Sequence, residues 1–117
     1  MQTRMRMIKM LNFVMNKICL TNTSDSDFSD LEGKVVKYIK TDGNNSGITN
    51  AALTSIAKVI GLEELDLEWA TQITDEGLSS LHQLKSLKYI DLSFCDNISL
   101  KGIQELKTAL PSLEIEQ

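Results

Sequence analysis

Ile48-Thr49, Ile73-Thr74 and Ile98-Ser99 recur at intervals of 25 residues. With those pairs aligned, Leu53, Leu78 and Ile103 share a position, and so do Ile56, Leu81 and Leu106. Upstream, Leu62-Glu-Glu-Leu65-Asp-Leu67 matches Leu87-Lys-Tyr-Ile90-Asp-Leu92. An earlier copy, Val36-Lys-Tyr-Ile39-Lys-Thr41, puts Asn44 where Cys95 stands. A last copy, Leu110-Pro-Ser-Leu113-Glu-Ile115, fits the template if its helix is two residues shorter. A period in the range of about 20–50 residues constrains the fold severely, because one such unit cannot bury its own apolar face and about three or more must stack.

Side chains alternate across a strand, so Leu65/Leu67, Ile90/Leu92 and Leu113/Ile115 are expected to face inward and their neighbours outward. The position of Asn44, Ala70 and Cys95 follows the strand, where the chain turns and backbone groups need partners. Asn44 and Cys95 are read as structural turn residues; Ala70 has no side-chain polar group to offer. Thr49, Thr74 and Ser99 suit helix N-caps. Asp75 and Glu76 would favour the first turn of their helix through its dipole, and Leu78, Leu81 and Leu84 line one face. The pattern predicts an α/β fold of about four stacked units over 36–117, with a parallel sheet on the concave face and helices on the convex face.

The template L-x-x-L-x-L-x-x-N/C followed by I-T/S resembles the leucine-rich repeat of the cysteine-containing type. It is clearest in Leu87-Lys-Tyr-Ile-Asp-Leu-Ser-Phe-Cys95-Asp-Asn-Ile98. The resemblance implies a short solenoid whose terminal units need protection. Residues 1–35 are therefore expected to form an N-terminal helical cap and an acidic connector. Met7, Leu11, Val14 and Ile18 fall at helical spacing, and Ser29-x-x-Glu32 reads as a capping box. Residues 1–20 also carry Arg4, Arg6, Lys9 and Lys17 with no acid, so a targeting or membrane-surface helix is the competing reading. The apolar run in this segment is too short and polar to span a bilayer.

The remaining chemistry is sparse. The chain has 117 residues, a formal charge of −4 and one histidine, His82, which leaves few parts for catalysis and disfavours nucleic-acid binding. Cys19 and Cys95 form neither a disulfide framework nor a zinc pattern. Asp42-Gly-Asn-Asn-Ser-Gly47 reads as a turn, not a phosphate loop. No enzyme activity, cofactor or metal site is expected. Function is expected on the outward side of the sheet, in three columns: Tyr38/Glu64/Tyr89/Ser112, Lys40/Asp66/Asp91/Glu114 and Asp42/Glu68/Ser93/Glu116. Like charges facing each other across neighbouring strands are mildly destabilising. The acidic row therefore points to a protein partner with a basic surface, against the alternative of a simply solvated face. Trp69 and Phe94 occupy equivalent positions just after two strands and are expected side by side, as an exposed interaction anchor or as filling at the core's edge.

The ending Leu106-Lys-Thr-Ala-Leu-Pro-Ser-Leu-Glu-Ile115 is similar to that of the mitochondrial ATP synthase subunit s (coupling factor B) family and the related distal membrane arm assembly proteins. That similarity implies a non-catalytic accessory or assembly subunit on the matrix side of the inner membrane. A soluble adaptor, of the kind found in F-box ubiquitin-ligase receptors or bacterial repeat proteins, is the alternative. Residues 1–35 carry no recognisable F-box.

Overall fold

The strands that the alternation marks are present, with one more than expected. The computed structural model describes residues 16–117. Its strands are β1 (Lys17–Leu20), β2 (Tyr38–Thr41), β3 (Glu64–Asp66), β4 (Tyr89–Asp91) and β5 (Glu114–Glu116). All pair in parallel, in the order β1-β2-β3-β4-β5. The helices between them are α1 (Asp25–Ser29), α2 (Asn50–Ile56), α3 (Asp75–Ser79), which continues as a 3-10 turn over Ser80–Gln83, and α4 (Leu100–Ala109). The register places Ile18, Ile39, Leu65, Ile90 and Ile115 side by side. The first four are buried and Ile115 partly so. Helix residues Leu53, Ile56, Leu78, Leu81, Ile103 and Leu106 close over this row to make one continuous core.

Thr49, Thr74 and Ser99 are N-caps, as expected. The first residues of α1, α2 and α3 do more than begin their helices. Asp25 accepts hydrogen bonds from the Thr49 backbone N–H and hydroxyl, both at 2.8 Å. Asn50 accepts from the Thr74 N–H at 3.0 Å and donates to its hydroxyl at 2.8 Å. Asp75 accepts from the Ser99 N–H at 2.8 Å and hydroxyl at 2.5 Å. The first residue of one helix thus satisfies the cap of the next. This ladder fits because Gly77 and Gly102 leave room: a Cβ on either would collide with the side chain of Asn50 or Asp75 respectively.

A second ladder runs along the turns. Asn45 donates to the Glu68 carbonyl at 2.8 Å and to the Thr41 hydroxyl at 2.9 Å. It also accepts from the Thr23 hydroxyl at 2.5 Å. Cys95 donates to the Leu67 carbonyl at 3.1 Å. Ala70 sits between them, and the carbonyls of its own unit are served from the unit on each side.

The structure corrects four expectations. Ile18 belongs to strand β1, not to a helical stripe; Ile18-Cys19-Leu20 repeats the inward-outward-inward pattern, and Thr23 follows Ile18 at the same interval as Ala70 follows Leu65. Met7, Leu11 and Val14 lie outside the described residues. The capping contact of α1 is made by Asp27, which accepts from the Ser24 N–H at 2.8 Å. Ser29 is the last residue of that helix, while Glu32 accepts from the Ser55 hydroxyl at 2.7 Å and pairs with Lys58 at 3.6 Å. The turn asparagine is the buried Asn45, with Asn44 exposed, because the turn after β2, counted from the Ile18/Ile39/Leu65/Ile90 row, holds one residue more than those after β1, β3 and β4. Finally, Ile115 rather than Leu113 pairs with Ile90, so the interval of 25 persists and the last helix is not shortened.

Two outcomes test the helix-cap ladder. Gly77→Ala forces a methyl group against Asn50 and should destabilise the protein by about 1–3 kcal/mol, the usual cost of overpacking, measured by chemical denaturation. The hydrogen bonds from the Ser99 hydroxyl and then its N–H hold the Asp75 carboxyl below its ordinary value of 3.8. Its stabilisation is therefore complete above that value and is lost as the pH falls through the depressed one. Asp75→Asn, which copies Asn50, should flatten this part of the acid limb when denaturation midpoints are compared from neutral to strongly acid pH. An unchanged difference across the acid range would refute the assignment.

Candidate functional site on the outward sheet face

Outward positions flank each buried strand residue, and the structure brings the expected side chains together there. Tyr38, Glu64 and Tyr89 share one row. The next occupant of that row is Glu114, not Ser112, because the last strand sits two residues from its expected register. Ser112 lies in the turn before β5 and is exposed. The second row, consequently, reads Cys19, Lys40, Asp66, Asp91 and Glu116 in sequence along the sheet. Glu116 replaces Glu114 beside Asp91, and Cys19 pairs with Lys40. Asp42, Glu68 and Ser93 continue the strands into the turns.

The face divides into two electrostatic halves. Toward the strand starts, Lys40 pairs with Glu64 at 3.3 Å and lies 5.9 Å from the centre of the Tyr89 ring. Glu63, which the columns omitted, pairs with Lys37 at 3.8 Å and Lys88 at 3.5 Å. The columns start at Glu64 and so pass over it, one residue before β3. Toward the ends of β3, β4 and β5 the sign is uniform. Carboxylate oxygens of Asp66, Glu68 and Asp91 come within 4.8 Å of one another. Among the described residues, no ion pair joins Asp66, Glu68, Asp91 or Glu116 to a cation. Their partners are backbone or hydroxyl donors: Asp66 accepts from the Glu68 N–H at 3.0 Å, Asp91 from the Ser93 N–H at 2.9 Å, and Glu116 from the Tyr89 hydroxyl at 3.3 Å.

Titration follows the crowding. Partial desolvation, then the charges of Asp91, Asp66 and Glu116, raises the Glu68 carboxyl above its ordinary value. Desolvation and the charges of Asp91 and Glu116 push the Tyr89 phenol up to about 12. Three carboxylates at this separation have the oxygen chemistry of a hard-cation site, although exposed acids commonly cluster without one.

Trp69 and Phe94 stand beside this acidic end. Their rings stack with centroids 4.2 Å apart and planes within 9°. They remain 43% and 52% exposed, which decides between the two readings: the pair is a surface feature, not core filling. Both residues have left-handed backbone, with φ of 65° and 62°. Bulky side chains are rare in that region, and the turn holds Trp69 there with a 2.9 Å hydrogen bond from its N–H to the Ser93 carbonyl. His82 lies half-buried in the 3-10 turn, on the helical layer and away from the carboxylates.

The family model described as leucine-rich repeat matches residues 62–81 and 83–107. Both stretches are thus similar to the leucine-rich repeat. The matched residues contain β3, α3, β4 and most of α4, together with Asp66, Glu68, Trp69, Asp91 and Phe94. The strand-and-helix units on either side extend the same sheet beyond the match. No curated protein matches the chain. Among the described residues, no helix is long and apolar enough to cross a membrane.

The two cysteines give a check on this geometry. Burial, with nearby carboxylates adding to it, pushes the Cys95 thiol up to about 11, whereas Cys19 is exposed on β1. Iodoacetamide at neutral pH should label Cys19 in the folded protein and reach Cys95 only after unfolding, as read by mass spectrometry. Rapid labelling of Cys95 would contradict its place in the turn ladder.

Proposed function

We propose that this chain is a non-catalytic protein-interaction module, a short leucine-rich repeat solenoid that receives a partner with a basic surface on the concave side of its sheet. The observation that carries the reading is the electrical division of the outward face. Glu63 and Glu64 are neutralised by Lys37, Lys40 and Lys88, while Asp66, Glu68, Asp91 and Glu116 form a block of one sign. Like charges on neighbouring strands oppose folding, and a basic partner would relieve that cost on binding. Helices are about 10–12 Å across and parallel strands about 4.8 Å apart, a mismatch that favours curvature with the sheet on the inside.

The similarity of residues 106–115 to the subunit s family extends the proposal to an accessory or assembly role in a mitochondrial inner-membrane complex. A soluble adaptor is the alternative, and localisation of the tagged chain with native co-migration separates the two. The interaction face is tested by cross-linking mass spectrometry on the captured complex. Cross-links should converge on the outward sheet residues, and the triple substitution Asp66→Asn, Glu68→Gln, Asp91→Asn should weaken capture at least about tenfold while raising or preserving thermal stability. Rim charges act chiefly through association rate, so wild-type binding should fall steeply with salt and the triple variant's should not. Cross-links confined to the helices would refute the face.

A further inference from the structure

We infer that the Trp69–Phe94 stack and the carboxylates beside it form a subsite for an arginine side chain on an extended segment of the partner. This inference rests on the interaction face proposed above and names the chemistry that one end of it recognises.

Exposed aromatic area alone is indifferent to the chemistry of its occupant. Here its surroundings select a cation. Glu68 directly precedes Trp69 in the chain, Ser93 directly precedes Phe94 with Asp91 two residues further back, and Asp66, Glu68 and Asp91 bring carboxylate oxygens within 4.8 Å of one another. None of these acids has an ion-pair partner among the described residues. Asp66 and Asp91 each take a backbone N–H on one oxygen, which fixes the carboxylates and leaves further lone pairs for a donor from outside. A π-face beside several fixed acceptors suits a planar cation that stacks and donates at the same time.

Guanidinium meets both demands. It is flat, remains charged at any working pH, stacks on aromatic faces and presents five N–H donors in a fork matched to carboxylates. Lysine offers a compact, strongly hydrated charge with no plane to stack. An apolar anchor would leave the carboxylate block unpaired and partly desolvated, which is costly. An acidic segment would meet direct repulsion. The occupant is expected to run extended, because only alternate residues of an extended chain face the sheet, and repeated arginines at that spacing could meet both the stack and the acids.

Trp69 is the only tryptophan in the chain, so its fluorescence reports on this subsite alone. The test titrates the full chain with the capped peptide Gly-Arg-Gly-Arg-Gly, its lysine analogue and its glutamate analogue, at low and high salt. Saturable change with the arginine peptide is expected, with affinity roughly two- to fivefold above the lysine peptide, the range that a cation–π contact supplies at an exposed site. The glutamate peptide should produce none. Phe94→Asn replaces the ring with a residue that adopts left-handed backbone readily, so the fold is retained; it should erase the preference for arginine while leaving residual binding of both basic peptides. Glu68→Gln with Asp91→Asn should weaken both. Equal binding of arginine and lysine peptides by the wild type would overturn the subsite as mere charge attraction. A response to calcium chloride alone, with none to the peptides, would overturn it in favour of a metal site. If cross-links fall on the sheet face but the arginine peptide leaves Trp69 unmoved, the subsite fails and the interaction face stands.

Discussion

Parallel pairing sets the pitch of this molecule. Adjacent strands lie about 4.8 Å apart, and everything attached to them has to stack at a compatible spacing although helices are about twice as wide. The chain accommodates the mismatch with small helical elements. Two of its helices have five residues, and one continues as a narrower 3-10 turn. Where helix starts come closest, Gly77 and Gly102 supply the clearance, and Asp25, Asn50 and Asp75 fill it with hydrogen bonds to the following cap. Apolar stacking drives the assembly, but these polar contacts decide how near one unit can approach the next.

The turn column meets the same demand on the opposite end of each strand. Asn45 and Cys95 each reach a carbonyl of the unit that contains Ala70, from opposite sides. A residue without hydrogen-bonding capacity is tolerated there because its neighbours compensate. The backbone satisfaction of one repeat is therefore a property of three, which is a physical reason that isolated units of this kind do not fold.

Function and fold share residues on the outward face. The strand starts neutralise their own acids with lysines on neighbouring strands. At the strand ends, the period aligns Asp66 with Asp91, and the chain's last strand adds Glu116 to the same row. Once the repeats stack, charges 25 residues apart become neighbours whether or not that favours stability. The aromatic pair obeys the same rule: Trp69 and Phe94 are one repeat apart and stack because their units do.

The period, the inward leucines and isoleucines of the later strands, the caps at Thr49, Thr74 and Ser99 and the adjacency of Trp69 to Phe94 were all legible in the sequence, since each follows from spacing alone; the Ser29 capping box was not one of them. The added strand at Ile18–Leu20 was legible in principle through Thr23 and the Ser24-Asp25 cap, but helical spacing upstream competed with it. Other features belong to the tertiary structure. Asn45 rather than Asn44 turns inward because of one extra residue in a loop, and Glu114 moves from Asp91 to Tyr89 because Ile115, not Leu113, enters the strand register. The exposure of the aromatic pair depends on left-handed turns, and the Asp25/Asn50/Asp75 ladder on how closely helix starts approach. Periodicity determines which residues repeat; only the packed backbone decides which of two nearby candidates fills a place, because that choice rests on contacts with the next unit rather than on the residue's own neighbours in the chain.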